Sequence, residues 1–208
     1  KEGVRIGSQL VNFAELVSHA YENRVSLSST GYYRTPKLHW DKEAAKGRPF
    51  FYFAYGAAIS EVIIDTLTGE YNILRTDILH DVGNSLNPAI DIGQIEGGFV
   101  QGTGWLTSEE LYWDEKGVLK THAPSTYKIP TSRDIPDDFR VALFDREDQE
   151  NTVYRSKAVG EPPLMLSVSV FLAIKDAIAA TGKGPIVLNA PATPEEVLRA
   201  ITKARSAS

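Results

Sequence analysis

The chain has 208 residues, 42% hydrophobic and 24% charged, enough for one large packed domain or two small ones. Its 22 Lys and Arg against 27 Asp and Glu leave a net charge of −5, which argues against nucleic acid or an anionic membrane as partner. With no cysteine, a disulfide framework, a thiol nucleophile and any cysteine-ligated zinc or iron–sulfur cluster on this chain are excluded. No apolar run approaches the roughly 20 residues of a membrane-spanning helix, and no signal-peptide pattern is present. The expected location is cytoplasmic. Because the chain opens Lys1-Glu2-Gly3 rather than with Met, it is expected to be a piece of something longer.

In chain order, Leu10, Phe13, Ala14, Val17, Ala20 and Tyr21 recur at three- and four-residue steps, predicting an amphipathic helix from Ser8, its N-cap, to Tyr21. A polar connection and an exposed loop over 42–49 follow. Phe50 to Asp65 and Glu70 to Leu79 read as two strands joined by the turn Asp65-Thr66-Leu67-Thr68-Gly69, each buried over most of its length. Asn87-Pro88 opens a helix that runs to about Leu111. Trp113 to Leu119 forms a hairpin-like turn and Phe139 to Phe144 a short strand. Val153 to Val159 reads as one more strand, and a helix spans Leu164 to Ala180. Thr193-Pro194-Glu195-Glu196 carries a capping box for a last helix to Ala204. This mixture predicts an α+β or α/β fold.

Two segments carry candidate chemistry. From Asp91 to Gly104 the helix contains Gly93, Gly97, Gly98, Gly102 and Gly104, each costing about 1 kcal/mol relative to Ala. Such a penalty implies a close approach to the backbone: either packing through small residues, or a ligand on the glycine face with Gln94 or Gln101 as a hydrogen-bonding handle. Phosphate-loop spacings are absent. In Lys157-Ala158-Val159-Gly160-Glu161-Pro162-Pro163, Glu161 sits on a rigid turn at a helix N-terminus, which favours a carboxylate. It reads either as a general base or as a simple cap.

His19, His39, His80 and His122 lack metal-ligand spacing, and no nucleophile elbow is present. Arg34 and Arg155 are solvated surface residues in this reading, Trp40, Trp105 and Trp113 pack, and Asp145 to Glu150 form a solvated acidic loop.

Four strings, in order, resemble the C-terminal part of the molybdenum-binding region of the xanthine dehydrogenase/aldehyde oxidase family. They are Thr30-Gly31-Tyr32-Tyr33 with Thr35-Pro36, the run from Asp81 to Gly97, Pro124 to Pro130, and Lys157 to Pro163. The strings Pro36 to Asp41 and Thr121 to Pro124 look most similar to the bacterial xanthine dehydrogenase branch. The resemblance implies an α/β molybdopterin-binding fold, with 1–30 as a connecting helix and 31–208 as the cofactor-binding and catalytic-base sub-region. It implies a molybdenum–molybdopterin cofactor, with Glu161 as the general base and Gln94 hydrogen-bonding the pterin. The backbone of Lys157, Ala158, Val159 and Gly160 would line the cofactor. The implied reaction is oxidative hydroxylation of a purine, xanthine to urate, with oxygen from water.

Electrons would pass through 2Fe-2S clusters and FAD, carried on partner domains or a partner subunit, and then to NAD. The family's molybdenum region is several times longer than this chain, so the remainder of that region is an expected partner and the chain is not expected to act alone. Oxidation of aldehydes or other N-heterocycles, and a non-catalytic scaffold or maturation role, are the alternatives.

Overall fold

A computed structural model describes residues 3–206, which fall into two compact units, one ending at Phe51 and the other beginning at Tyr52. In the first unit, β1 (Gly3–Ile6) and β2 (Gln9–Asn12) form an antiparallel hairpin, its register running from Gly3 opposite Asn12 to Ile6 opposite Gln9. Gly7, at φ 62°, supplies the left-handed turn residue. The helix α1 (Phe13–Glu22) begins only after the hairpin, and its N-cap is Asn12, whose Oδ1 accepts from the Ala14 amide at 2.9 Å. Ser8 therefore lies in a turn. The apolar spacing at Leu10 is satisfied by a strand, and Asn12 captures the free amides four residues later than the reading from periodicity. A second hairpin pairs β3 (His39–Asp41) with β4 (Lys46–Arg48), so part of the expected 42–49 loop is a strand. Asp41 Oδ1 closes its turn on the amides of Glu43 and Ala44, both at 3.0 Å.

The second unit is built on a three-stranded sheet. β5 (Gly56–Ile64) and β6 (Tyr71–His80) are antiparallel, and Asp65 Oδ1 holds the turn between them through the Leu67 amide at 2.7 Å. Gly69 is required there, since its φ is 79° and a Cβ would collide with the Pro194 carbonyl. After β6, the helix α2 (Pro88–Thr107) crosses over and β7 (Asp138–Leu143) returns parallel to β6, giving the order β5-β6-β7. A parallel partner demands such a long crossover. Phe99 of α2 meets Phe139 of β7 with ring centroids 5.4 Å apart.

A 3₁₀ turn (Pro162–Ser167) runs directly into α3 (Val168–Ala179). Together these 18 residues have the length and apolar composition of a short membrane span, which runs alone did not suggest. Their four-residue stripe of Val170, Ile174 and Ile178 is nevertheless buried, packed in one cluster with Ile73, Ile78, Val82, Ile95 and Phe99. Each such side chain contributes about 1.5–3 kcal/mol, the pattern of a core helix. α4 (Pro194–Arg205) adds Val197, Ala200, Ile201 and Ala204 to the same core. Thr193 Oγ1 accepts from the Glu196 amide, but the Glu196 carboxylate turns to the Asn189 side chain at 2.8 Å, so only half of the capping box forms.

Two further expectations fail. β5 alternates and leaves Ile59 and Ile63 exposed, because α3 covers one face of the sheet only. Val153 to Val159 is not a strand, since Tyr154 and Arg155 are left-handed (φ 52° and 60°), which breaks extended pairing.

The glycines of α2 divide by side. Gly98 faces Pro163 and the Gly160 carbonyl, and Gly102 lies on the Leu164 carbonyl and Ser167, while Gly93 and Gly97 meet nothing within 4 Å. Gly102→Ala is expected to destabilise the fold by about 1–3 kcal/mol through overpacking. Gly97→Ala should be neutral or stabilising by up to about 1 kcal/mol from helix propensity. Denaturant unfolding of the two variants checks this contrast.

Candidate functional site

The site grows from the C-terminal end of β6 and the first turns of α2. Asn87 caps α2, its Oδ1 accepting from the Ile90 amide at 3.4 Å, and Pro88 fills the first position. Ser85 donates to Asp91 at 2.5 Å, tying the entry loop to the first turn. Gln94 then projects one turn later, exposed, at the start of the open glycine side.

The segment leading to Glu161 is held along the loop after β6. The Asn84 amide donates to the Arg155 carbonyl at 3.0 Å and the Lys157 amide to the Val82 carbonyl at 2.8 Å, a two-residue bridge between Gly83 and Ser156. Gly83 is left-handed at φ 61°, and a Cβ there would strike the Arg155 carbonyl. The Arg155 guanidinium gathers the carbonyls of Asp148, Gln149 and Glu150, so it braces the acidic loop instead of standing free in solvent.

Lys157 anchors the clasp. Its ammonium donates to Asp81 Oδ2 at 2.5 Å and to the Phe53 carbonyl at 2.9 Å, and it lies 5.7 Å from the Tyr55 ring centroid. Both charged side chains are only 9% exposed. Asp81 Oδ1 also accepts from the Gly83 amide at 2.9 Å, so the carboxylate joins both sides of the bridge. Removing one member of such a buried pair costs about 3–5 kcal/mol, because the other charge is left uncompensated. One residue on, the Ala158 amide donates to the Tyr52 hydroxyl at 2.8 Å.

Beyond this anchor the chain is uncommitted. The amides of Val159, Gly160 and Glu161 find no acceptor among the described residues. Gln94 Oε1 lies over Gly160, where a Cβ would sit 3.2 Å from it. The Glu161 side chain is exposed, makes no capping hydrogen bond, and has no ion-pair partner among the described residues. The capping reading therefore does not hold for Glu161: its carbonyl, not its carboxylate, serves the turn, accepting from Leu164 at 3.1 Å.

The structure thus gathers Gln94, Val159, Gly160 and Glu161, and gives Lys157 and Ala158 supporting contacts. The packing reading of the glycine helix is realised at Gly98 and Gly102, while Gly93 and Gly97 stay open. Gln101 lies further along the helix. Trp40, Trp105 and Trp113 are each about half exposed, not packed as expected. His122 bonds the Lys120 carbonyl and His19 lies beside Asn23. Among the described residues no group of three or more His, Asp or Glu is placed to hold a metal ion.

Sequence reasoning missed three residues. Asp81 and Tyr52 stand 76 and 106 positions from their partners, and no local pattern signals such pairings. The third, His80, is 1% exposed with Nδ1 unpartnered.

A molybdenum–pterin group fits this donor set. Free amides at 159–161, the Gln94 carboxamide and the bare backbone at Gly93 and Gly97 offer hydrogen bonds and close approach to a flat polar ligand.

Comparison with known proteins agrees. Residues 1–136 match the family described as the molybdopterin cofactor-binding domain. The chain is 52% identical over 197 residues to the xanthine dehydrogenase/oxidase of Felis catus, spanning 91% of this chain and 15% of that protein. It is 48% identical over 183 residues to the aldehyde oxidase of Homo sapiens, spanning 86% and 14%. The aldehyde oxidoreductase from Desulfovibrio gigas superposes with a TM-score of 0.72 at 25% identity, over 94% of this chain and 20% of that one. The chain belongs to the molybdopterin cofactor-binding domain family, within the xanthine dehydrogenase/aldehyde oxidase group of molybdenum hydroxylases. It spans about one seventh of the length of these curated relatives.

Burial lowers the pKa of His80, Asp81 acts to raise it, and Lys157 lowers it further. Above the free-imidazole value of about 6.5 the folded and unfolded states are both neutral. Below it the unfolded chain takes up a proton that the folded chain resists, so stability falls as pH drops from there. His80→Leu should therefore lose less melting temperature than the wild type between about pH 7.5 and pH 5.5. Equal losses in scanning calorimetry would remove His80 from the acid sensitivity.

Proposed function

We propose that this chain provides the catalytic base and one wall of the cofactor site in an oxidative hydroxylase acting on a purine, xanthine being converted to urate with oxygen from water. The observation that carries the reading is the uncommitted Glu161 carboxylate next to Gly160, which Gln94 covers.

When bound, the molybdenum–pterin supplies the two-electron oxidation. Gln94 and the amides at 159–161 would hold the pterin, and Gly93 and Gly97 would let it approach α2. Glu161 would accept the proton lost by the water-derived oxygen as that oxygen bonds to the electron-poor carbon of the heterocycle, the C–H bond at that carbon breaking with its electron pair passing to the two-electron acceptor that the group supplies. Pro162 and Pro163 stiffen the turn beneath it, limiting the rotations that would carry the carboxylate away.

The purine assignment is supported by the strings Pro36 to Asp41 and Thr121 to Pro124, and by the higher identity to the feline xanthine dehydrogenase/oxidase than to the human aldehyde oxidase. Aldehydes or other N-heterocycles form a second reading, supported by the likeness to the Desulfovibrio gigas enzyme. Iron–sulfur and flavin partners would receive the electrons, and the exposed Ile59 and Ile63 on the sheet offer apolar surface for other parts of such an assembly.

In the molybdenum-loaded protein that carries this chain, Glu161→Gln is expected to lower xanthine-dependent urate formation by about 10²–10⁴-fold at matched molybdenum content. A loaded wild type that ignores xanthine but oxidises aldehydes would select the second reading. Gln94→Ala should instead reduce pterin content, read by extraction and fluorescence of the oxidised pterin.

A further inference from the structure

We propose that the Asp81–Lys157 ion pair is a positioning device for the base: it fixes the stretch 157–161 against the end of β6 so that the Glu161 carboxylate is presented beside Gln94. The inference rests on the reading of Glu161 as the base, and goes beyond it by giving Lys157 and Asp81 a role that neither has through direct contact with substrate or cofactor.

Three observations carry it. First, the pair is sealed and fully used. Lys157 spends its ammonium on Asp81 and the Phe53 carbonyl, with both side chains 9% exposed, so it is not available as a ligand-binding cation. Second, the hydrogen bonds stop at Ala158. Up to that residue every amide from Arg155 onward is engaged, by Thr152, Val153, Val82 and the Tyr52 hydroxyl in turn. From Val159 to Glu161 none is, among the described residues. The four-residue reach from Lys157 to Glu161 is thus held at its start by the ion pair and at its end by the turn packed on α2. Third, the chain enters the clasp through two consecutive left-handed residues, Tyr154 and Arg155, neither of them glycine. Such a conformation persists only where surrounding contacts over-determine it, and the Gly83–Ser156 bridge and the Asp81–Lys157 pair are those contacts.

The Asp81 carboxylate is itself bidirectional, with Oδ1 on the Gly83 amide and Oδ2 on Lys157. It therefore sets the distance between the loop that leads into α2, which carries Gln94, and the segment that carries Glu161. A 1 Å misplacement of a catalytic group by a remote change can cost about a hundredfold in rate.

The experiment uses the molybdenum-loaded protein carrying this chain. Lys157→Gln, and the neutral pair Asp81→Asn with Lys157→Gln, which leaves no buried lone charge, are compared with the wild type. The expected result for both is a kcat about a hundredfold lower with unchanged molybdenum and pterin content. In the neutral pair, amide exchange should quicken at Ser156, Lys157 and Ala158, whose amides are hydrogen-bonded, and stay unchanged in α2 and α3. Added to Glu161→Gln, Lys157→Gln should cause no further loss of kcat, because the two act through one group. Near wild-type kcat and protected amides in the neutral pair, alongside an inactive Glu161→Gln, would overturn the positioning role while leaving the base assignment intact. An active Glu161→Gln would overturn the base assignment itself. Exchange that quickens throughout the second unit, with kcat falling only as cofactor content falls, would make the pair a stability element and also overturn the proposal.

Discussion

The carboxylate of Asp81 is the point on which the site depends. It lies just past the end of the central strand β6 and is buried against the Lys157 ammonium. A charge in that position must be matched closely or not buried at all, so Asp81 and Lys157 restrict the loop between them to few arrangements. The Gly83–Ser156 bridge follows from that restriction, and Gly83 is needed because the Arg155 carbonyl leaves no room for a Cβ. Glu161 is then carried four residues from a fixed charge, not on the tip of a free loop.

The glycine-rich helix serves the same end from the opposite side. Gly98 and Gly102 let α2 sit against the turn that follows Glu161, close enough that the Leu164 carbonyl and Ser167 occupy the space of a side chain. This contact fixes the distance between Gln94 and Gly160. Gly93 and Gly97 do no packing, so their local cost of about 1 kcal/mol each has no return inside this chain. A ligand lying on the helix would supply that return. Packing and the open backbone therefore fall on two different sides of one helix.

Much of the fold was legible because its signals are local. Asn87-Pro88, Thr193-Pro194 and the Asp65–Gly69 turn each act within four residues, and each element forms where those residues place it. Asn12 and Ser8 show the limit of such signals: both are good caps, and the choice was made by a hairpin that the helical spacing of Leu10 and Phe13 concealed. The strand expected over 153–159 failed for a related reason, since β-branched residues there cannot report that Tyr154 and Arg155 adopt left-handed conformations under tertiary constraint. Glu161 and Gln94 stood out as candidates through the penalties around them, a carboxylate between Gly and two prolines and a helix full of glycine, while the roles proposed for them came from the family resemblance. Asp81, Tyr52 and His80 were not, because their importance comes from partners or burial set by the parallel return of β7 and by α3, which no short window contains.

The commitments of the individual groups separate support from chemistry more sharply than residue type does. Lys157, the most reactive-looking cation near the base, is fully engaged, and so are Arg155 and the Ala158 amide. Glu161, Gln94 and the amides of 159–161 are polar groups left without protein partners. A segment that engages each amide from Arg155 to Ala158 and none of the next three, among the described residues, has drawn a boundary at that point. On one side the hydrogen bonds determine where the backbone lies; on the other they are reserved for what binds there. The same boundary explains why a buried ion pair, of little net value to stability alone, is worth retaining: an apolar pair would fill the space, but would not orient the backbone that presents the carboxylate.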